Sequence, residues 1–72
     1  MTWAKNHDAP SWIVKLRQLQ TNNCWGAWVS QVFRRTRGDA EAAVILIQNR
    51  ERLKVGQRFE VAIFYRGRKV GP

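Results

Sequence analysis

"GDAEAAVILIQNRER", residues 38–52, reads either as a helix or, through its centre "AVILI", as a buried strand. The flanks favour the helix. Asp39 has a short carboxylate that can cap a helix by accepting a backbone N–H, and Glu41 suits the positive end of the helix dipole. Arg50 and Arg52 sit near the negative end. Helical spacing gathers Ala40, Ala43, Val44 and Ile47 into one apolar stripe, with Leu46 and Leu53 beside it.

Around this helix the chain alternates as strands do. In "SWIVKLRQLQ" (11–20), Trp12, Val14 and Leu16 alternate with Ile13, Lys15 and Arg17. Trp12, Leu16 and Leu19 also have helical spacing after a possible Ser11 cap, but the β-branched pair Ile13-Val14 favours a strand. "TNN" (21–23) is turn chemistry, since asparagine tolerates positive φ. "CWGAWVSQVFRR" (24–35) then returns as the second arm of a hairpin. It places Trp25, Ala27, Val29 and Phe33 on one face and Trp28, Ser30, Val32 and Arg34 on the other. "KVGQ" (54–57) breaks the chain. "RFEVAIFYRGR" (58–68) supplies a strand with Phe59, Val61, Ile63 and Tyr65 on one side and Glu60, Ala62, Phe64 and Arg66 on the other. The closing "RGRKVGP" is expected to be irregular.

The sum is an α+β fold: a small antiparallel β-sheet with one α-helix packed on one face, in the order strand–strand–helix–strand. Residues 1–10 read as a flexible arm, 11–69 as a single domain and 70–72 as a tail. The uncovered sheet face is expected to present Trp28, Val32, Phe64, Arg34 and Arg66.

A chain of 72 residues buries only about 60% of its unfolded surface, so it has one thin core. With 44% hydrophobic and 25% charged residues it is too apolar for intrinsic disorder. The net charge is +8, and nine of the thirteen basic residues are arginine. That balance draws the chain towards polyanions or acidic protein faces, and arginine suits planar, bidentate contact with phosphate or carboxylate. The longest apolar run, Ala42 to Ile47, is far too short to span a membrane. "MTWAKNHDAP" lacks the charged-then-apolar order of a signal peptide, and a lone cysteine forms no internal disulfide. A cytoplasmic monomer is expected, without membrane attachment.

No catalytic constellation is visible. His7 and Cys24 are the only histidine and cysteine, and a structural zinc wants four such ligands, so neither catalytic residues nor metal ligands are expected. No phosphate-cradling glycine loop points to a cofactor or a small-molecule substrate. The tripeptide Arg37–Gly38–Asp39 is better explained by a helix start than by adhesion chemistry. Two basic clusters remain. Arg34, Arg35 and Arg37 precede the helix, and Arg66, Arg68 and Lys69 follow the last strand. With Trp28, and with Trp3 and Lys5 on the N-terminal arm, they form the expected partner-binding set. Cations interleaved with aromatics suit nucleic acid, where phosphates supply affinity and rings stack on bases. An acidic protein groove would suit them equally.

In length, order of elements and the closing "RFEVAIFYR" strand with its arginines, residues Ser11 to Lys69 resemble the small phage-encoded inhibitors of bacterial RNA polymerase. That resemblance implies a non-enzymatic transcription regulator, acting in the host cytoplasm. It would dock on RNA polymerase near its DNA-entry or sigma-binding region and inhibit initiation or alter termination, as in antitermination. Some members of that group are less basic than this chain. Trp25, Gly26, Trp28 and Val29, followed by an alanine-rich helix at Ala40 to Val44, are similar to the AP2-type DNA-binding domain. There three strands precede the helix, and arginine and tryptophan from the sheet read the major groove. This chain is expected to have two strands before its helix and one after; the resemblance implies a DNA-reading sheet, and the same residues would also suit a direct DNA- or RNA-binding module.

Overall fold

The computed structural model describes residues 11–54 and 56–71; Trp3 and Lys5 of the expected arm lie outside them. Strand β1 (Trp12–Gln18) is followed by β2 (Val29–Arg34), helix α1 (Arg37–Arg52), β3 (Phe59–Tyr65) and β4 (Arg68–Gly71). The strands form one antiparallel sheet in the order β2-β1-β3-β4. Helix α1 packs on one face, against β1, β2 and β3, so the architecture is the expected α+β. The closing segment departs from expectation. Arg66 and Gly67 both take positive φ, 51° and 80°, as a two-residue hairpin turn requires. The turn returns residues 68–71 to the sheet as β4, so residues 70 and 71 belong to the domain.

The alternation of β1 and β3 sets the layers. Val14 and Leu16 of β1 lie opposite Ile63 and Val61 of β3. All four are buried, with Ala40, Ala43, Val44 and Ile47 of α1 above them. Each large aliphatic side chain so buried contributes about 1.5–3 kcal/mol. Trp12, Val32 and Phe59 pack at the margin of this core.

The second strand corrects the sequence reading twice. It begins only at Val29; residues 24–28 belong to a long β1–β2 connection, in which Trp25 makes one isolated bridge to Leu19. Pairing also skips Gln31, because Val14 faces Val32 while Lys15 faces Ser30. This bulge reverses the expected alternation. Val32 joins the core and Arg34 shares the side of Trp12, whereas Phe33 turns to the helix-free side opposite Ile13.

Thr36, rather than Asp39, caps the helix. Its Oγ1 accepts the Asp39 backbone N–H at 3.2 Å, leaving Asp39 as the acidic residue of the first turn. The predicted stripe of Ala40, Ala43, Val44 and Ile47 is buried, and Glu51 extends it at 1% exposure. The Glu51 carboxylate accepts from Arg50 Nε at 2.9 Å and lies 3.2 Å from Lys54 Nζ. Burial pushes its pKa up, but the hydrogen bonds and charges of Lys54 and Arg50 outweigh that and hold it below the usual carboxylate value.

Candidate functional site

Whether the two basic clusters meet depends on topology. Strands β2 and β3 both run antiparallel to β1, so their C-terminal ends share one end of the sheet. One cross-strand row there reads Arg34–Trp12–Tyr65–Arg68. It crosses three strand spacings, about 14 Å. Arg35 follows β2 directly, Arg37 opens α1, and Arg66 occupies the β3–β4 turn. Residues 34–41 and 66–69 thus bring six cations and two carboxylates to this end of the sheet. The positive end of the α1 dipole lies on the same side.

Within this pole the aromatics order the arginines. The rings of Trp12 and Tyr65 stack with centroids 4.2 Å apart. The Arg37 guanidinium lies 6.0 Å from the Trp12 centroid, and that of Arg66 lies 5.4 Å from Tyr65. Arg37 also pairs with Glu41 at 3.4 Å, one helical turn on. Arg34, Arg35, Arg66, Arg68 and Lys69 pair with no carboxylate among the described residues. All five are exposed; Arg34 Nη1 donates to the Phe33 carbonyl oxygen at 2.9 Å.

The helix-free face is part covered. Trp28 meets Phe64 edge-on, with centroids 5.2 Å apart, and Phe64 and Ala62 are buried. The Arg17 guanidinium lies between the indoles of Trp25 and Trp28, 4.8 and 4.6 Å from their centroids. Its Nη2 and Nε both reach Glu60 Oε1, at 2.6 and 2.7 Å. Lys15 lies over Phe64 and Lys69 over Trp28, at 4.6 and 5.8 Å. Trp25 and Trp28 therefore share one side of the sheet, against the expected split between faces. Trp28, expected on display, is half-buried with its ring occupied. Val32 and Arg34, expected on this face, lie on the other. Phe33 takes their place here at 60% exposure.

Of the expected binding residues, Arg34, Arg35, Arg37, Arg66 and Arg68 gather at the pole, and Lys69 lies one row inward on the helix-free side, opposite Phe64. The sequence reading missed Trp12 and Tyr65 as the seat of Arg37 and Arg66, Arg17 as a clamp, and Phe33 as an exposed ring. The Trp12–Tyr65 pair depends on long-range register and leaves no local mark. Phe33 was misplaced because a bulge has no signature in residue type here.

A shallow groove beyond the other end of β2 is lined by Leu16, Gln18, Gly26, Val29 and Gln31, with Arg17 at its wall. Amides, aliphatic groups and the Thr21 hydroxyl line it, with no histidine, cysteine or carboxylate among the lining residues. No group of three histidine, cysteine or carboxylate side chains suited to a metal occurs among the described residues, and no described helix is long and apolar enough to cross a membrane. Neither a protein-family model, nor a curated protein, nor a solved structure matches the chain. Function must be argued from this geometry.

Proposed function

We propose that this protein is a non-enzymatic nucleic-acid-binding module whose contact surface is the arginine pole of the sheet. One observation carries the reading. Arg34, Arg35, Arg66 and Arg68, from two segments thirty residues apart in sequence, converge beside Arg37 with no described carboxylate to neutralise them. Keeping so many guanidinium groups together is electrostatically unfavourable until an anion joins them, and a phosphate backbone supplies evenly spaced anions. Fixing arginines against rings lowers the ordering cost of contact. Such a surface positions a backbone and carries little base specificity.

The test is a salt titration of binding to labelled oligonucleotides. With about four phosphate contacts, log K falls against log salt with a slope near −3.6 on a duplex and about −2.8 on a single strand. Binding that ignores salt, or no binding at 50 mM salt, would refute the reading.

A second reading keeps the same arginines but gives them an acidic face of bacterial RNA polymerase, as a transcription regulator would use. It is favoured by the outer side of α1, where Ile45, Leu46 and Leu53 are exposed, the last two at 70% and 83%. Protein partners cover such strips; nucleic acid does not. Capture from bacterial lysate, with and without nuclease, separates the two. Polymerase retained after nuclease, and lost on Leu46→Glu, supports the second reading.

A further inference from the structure

We infer that the nucleic acid taken by this module is single-stranded, with a base stacked on the Phe33 ring and the phosphates running on to the arginine pole at the end of β2. The inference rests on the nucleic-acid reading above and narrows its substrate. Among the described aromatics of the helix-free face, Phe64, Trp25 and Trp28 each already hold a cation. Phe33 holds neither a cation nor another ring among the described residues, and it is 60% exposed. What sets Phe33 apart is that it is an open aromatic ring on an edge strand with cations along its row, so a base can stack on it and bury its face. Arg34 and Arg35 follow this ring at the end of β2; Arg34 turns to the other side of the sheet, so a nucleic-acid strand seated on the ring meets the pole across that end. The cross-strand row of Phe33 runs through Ile13 and Phe64 to Lys69, so cations flank it at the strand end and at the far side of the sheet. Among the described residues, Glu60 is the carboxylate on this face, and it is already paired with Arg17.

This layout suits unpaired bases. A protein ring can stack only on a base face that is free, and duplex bases have both faces covered by their neighbours. A duplex would therefore meet the arginines alone. A single strand would meet the arginines and the ring.

Fluorescence anisotropy with labelled oligo-dT, oligo-rU and a mixed-sequence duplex tests this on the full chain. The wild type should bind at least one single strand about tenfold or more tightly than the duplex, and the dT and rU arms show which sugar is preferred. Phe33→Ala should weaken single-strand binding about 5- to 100-fold and leave duplex binding within twofold. Phe33→Trp should restore the preference, and circular dichroism confirms that each variant is folded. Equal affinity for duplex and single strand, or Phe33→Ala within twofold of wild type on single strands, overturns the inference but leaves the module a nucleic-acid binder. Failure of every probe to bind overturns both.

Discussion

Trp12 and Tyr65 stack face to face across the β1–β3 pair, with 4.2 Å between ring centroids and 27° between planes. Each ring also neighbours an arginine, Arg37 on the Trp12 side and Arg66 on the Tyr65 side. The pair therefore joins the packing of the sheet to the placement of charge. In a double-mutant cycle, Trp12→Ala and Tyr65→Ala should show a coupling of about 0.5–1.5 kcal/mol in denaturant unfolding. Additive costs would mean that the rings are merely adjacent.

Charge removal at the pole should spare the fold and weaken binding. The triple substitution Arg34→Ala, Arg35→Ala, Arg68→Ala should change stability by less than about 0.5 kcal/mol per site. The slope of log K against log salt should become shallower by about 2.7 on a duplex and about 2.1 on a single strand. A large stability loss would show that these side chains are structural.

Arg17 should behave in the opposite way. Its guanidinium holds Glu60 and lies between two indoles, so it fastens the residue 19–28 connection to the sheet. Arg17→Lys keeps the charge but loses the planar fork and the stacking; it should cost about 1–2 kcal/mol. Tryptophan emission should shift to the red as Trp25 and Trp28 gain water. Unchanged emission and stability would show that the clamp contributes nothing.

Acid should loosen the far end of α1. Because Glu51 holds its proton less tightly folded than unfolded, its contribution is complete above the ordinary carboxylate value of 4.5. It is lost as pH falls below that value, through the depressed folded-state pKa. Glu51→Gln should cost about 1–3 kcal/mol at pH 7, and its difference from wild type should shrink at pH 3. A difference that is constant with pH would place the cost in packing alone.

Much of the fold was legible because its signals are local. The β1 and β3 alternations and the helix stripe from Ala40 to Ile47 each follow from residue type over a few positions. The four-residue strand β4 was not legible, since Arg-Gly is an uncommon pair for a turn with two positive φ angles and the strand itself is charged. Thr36 caps the helix where residue type alone favours Asp39, three residues on, although a threonine followed three residues later by an acid is a known start signal. At the site, sequence supplied the arginines but not their meeting. That needed β1 to lie between β2 and β3, an arrangement set by pairing between residues about fifty apart. The bulge at Gln31, which exchanged the sides expected for Phe33 and Arg34, arises from backbone geometry that no nearby residue announces.

The backbone at Arg66 has a consequence of its own. An L-residue with a side chain pays about 1–2 kcal/mol to adopt a left-handed conformation, and asparagine or glycine would sit there more comfortably. Selection for heat tolerance alone should therefore replace Arg66 early. The hardier protein would have one fewer guanidinium over Tyr65; if the arginine pole binds as proposed, robustness and recognition pull this single position in opposite directions.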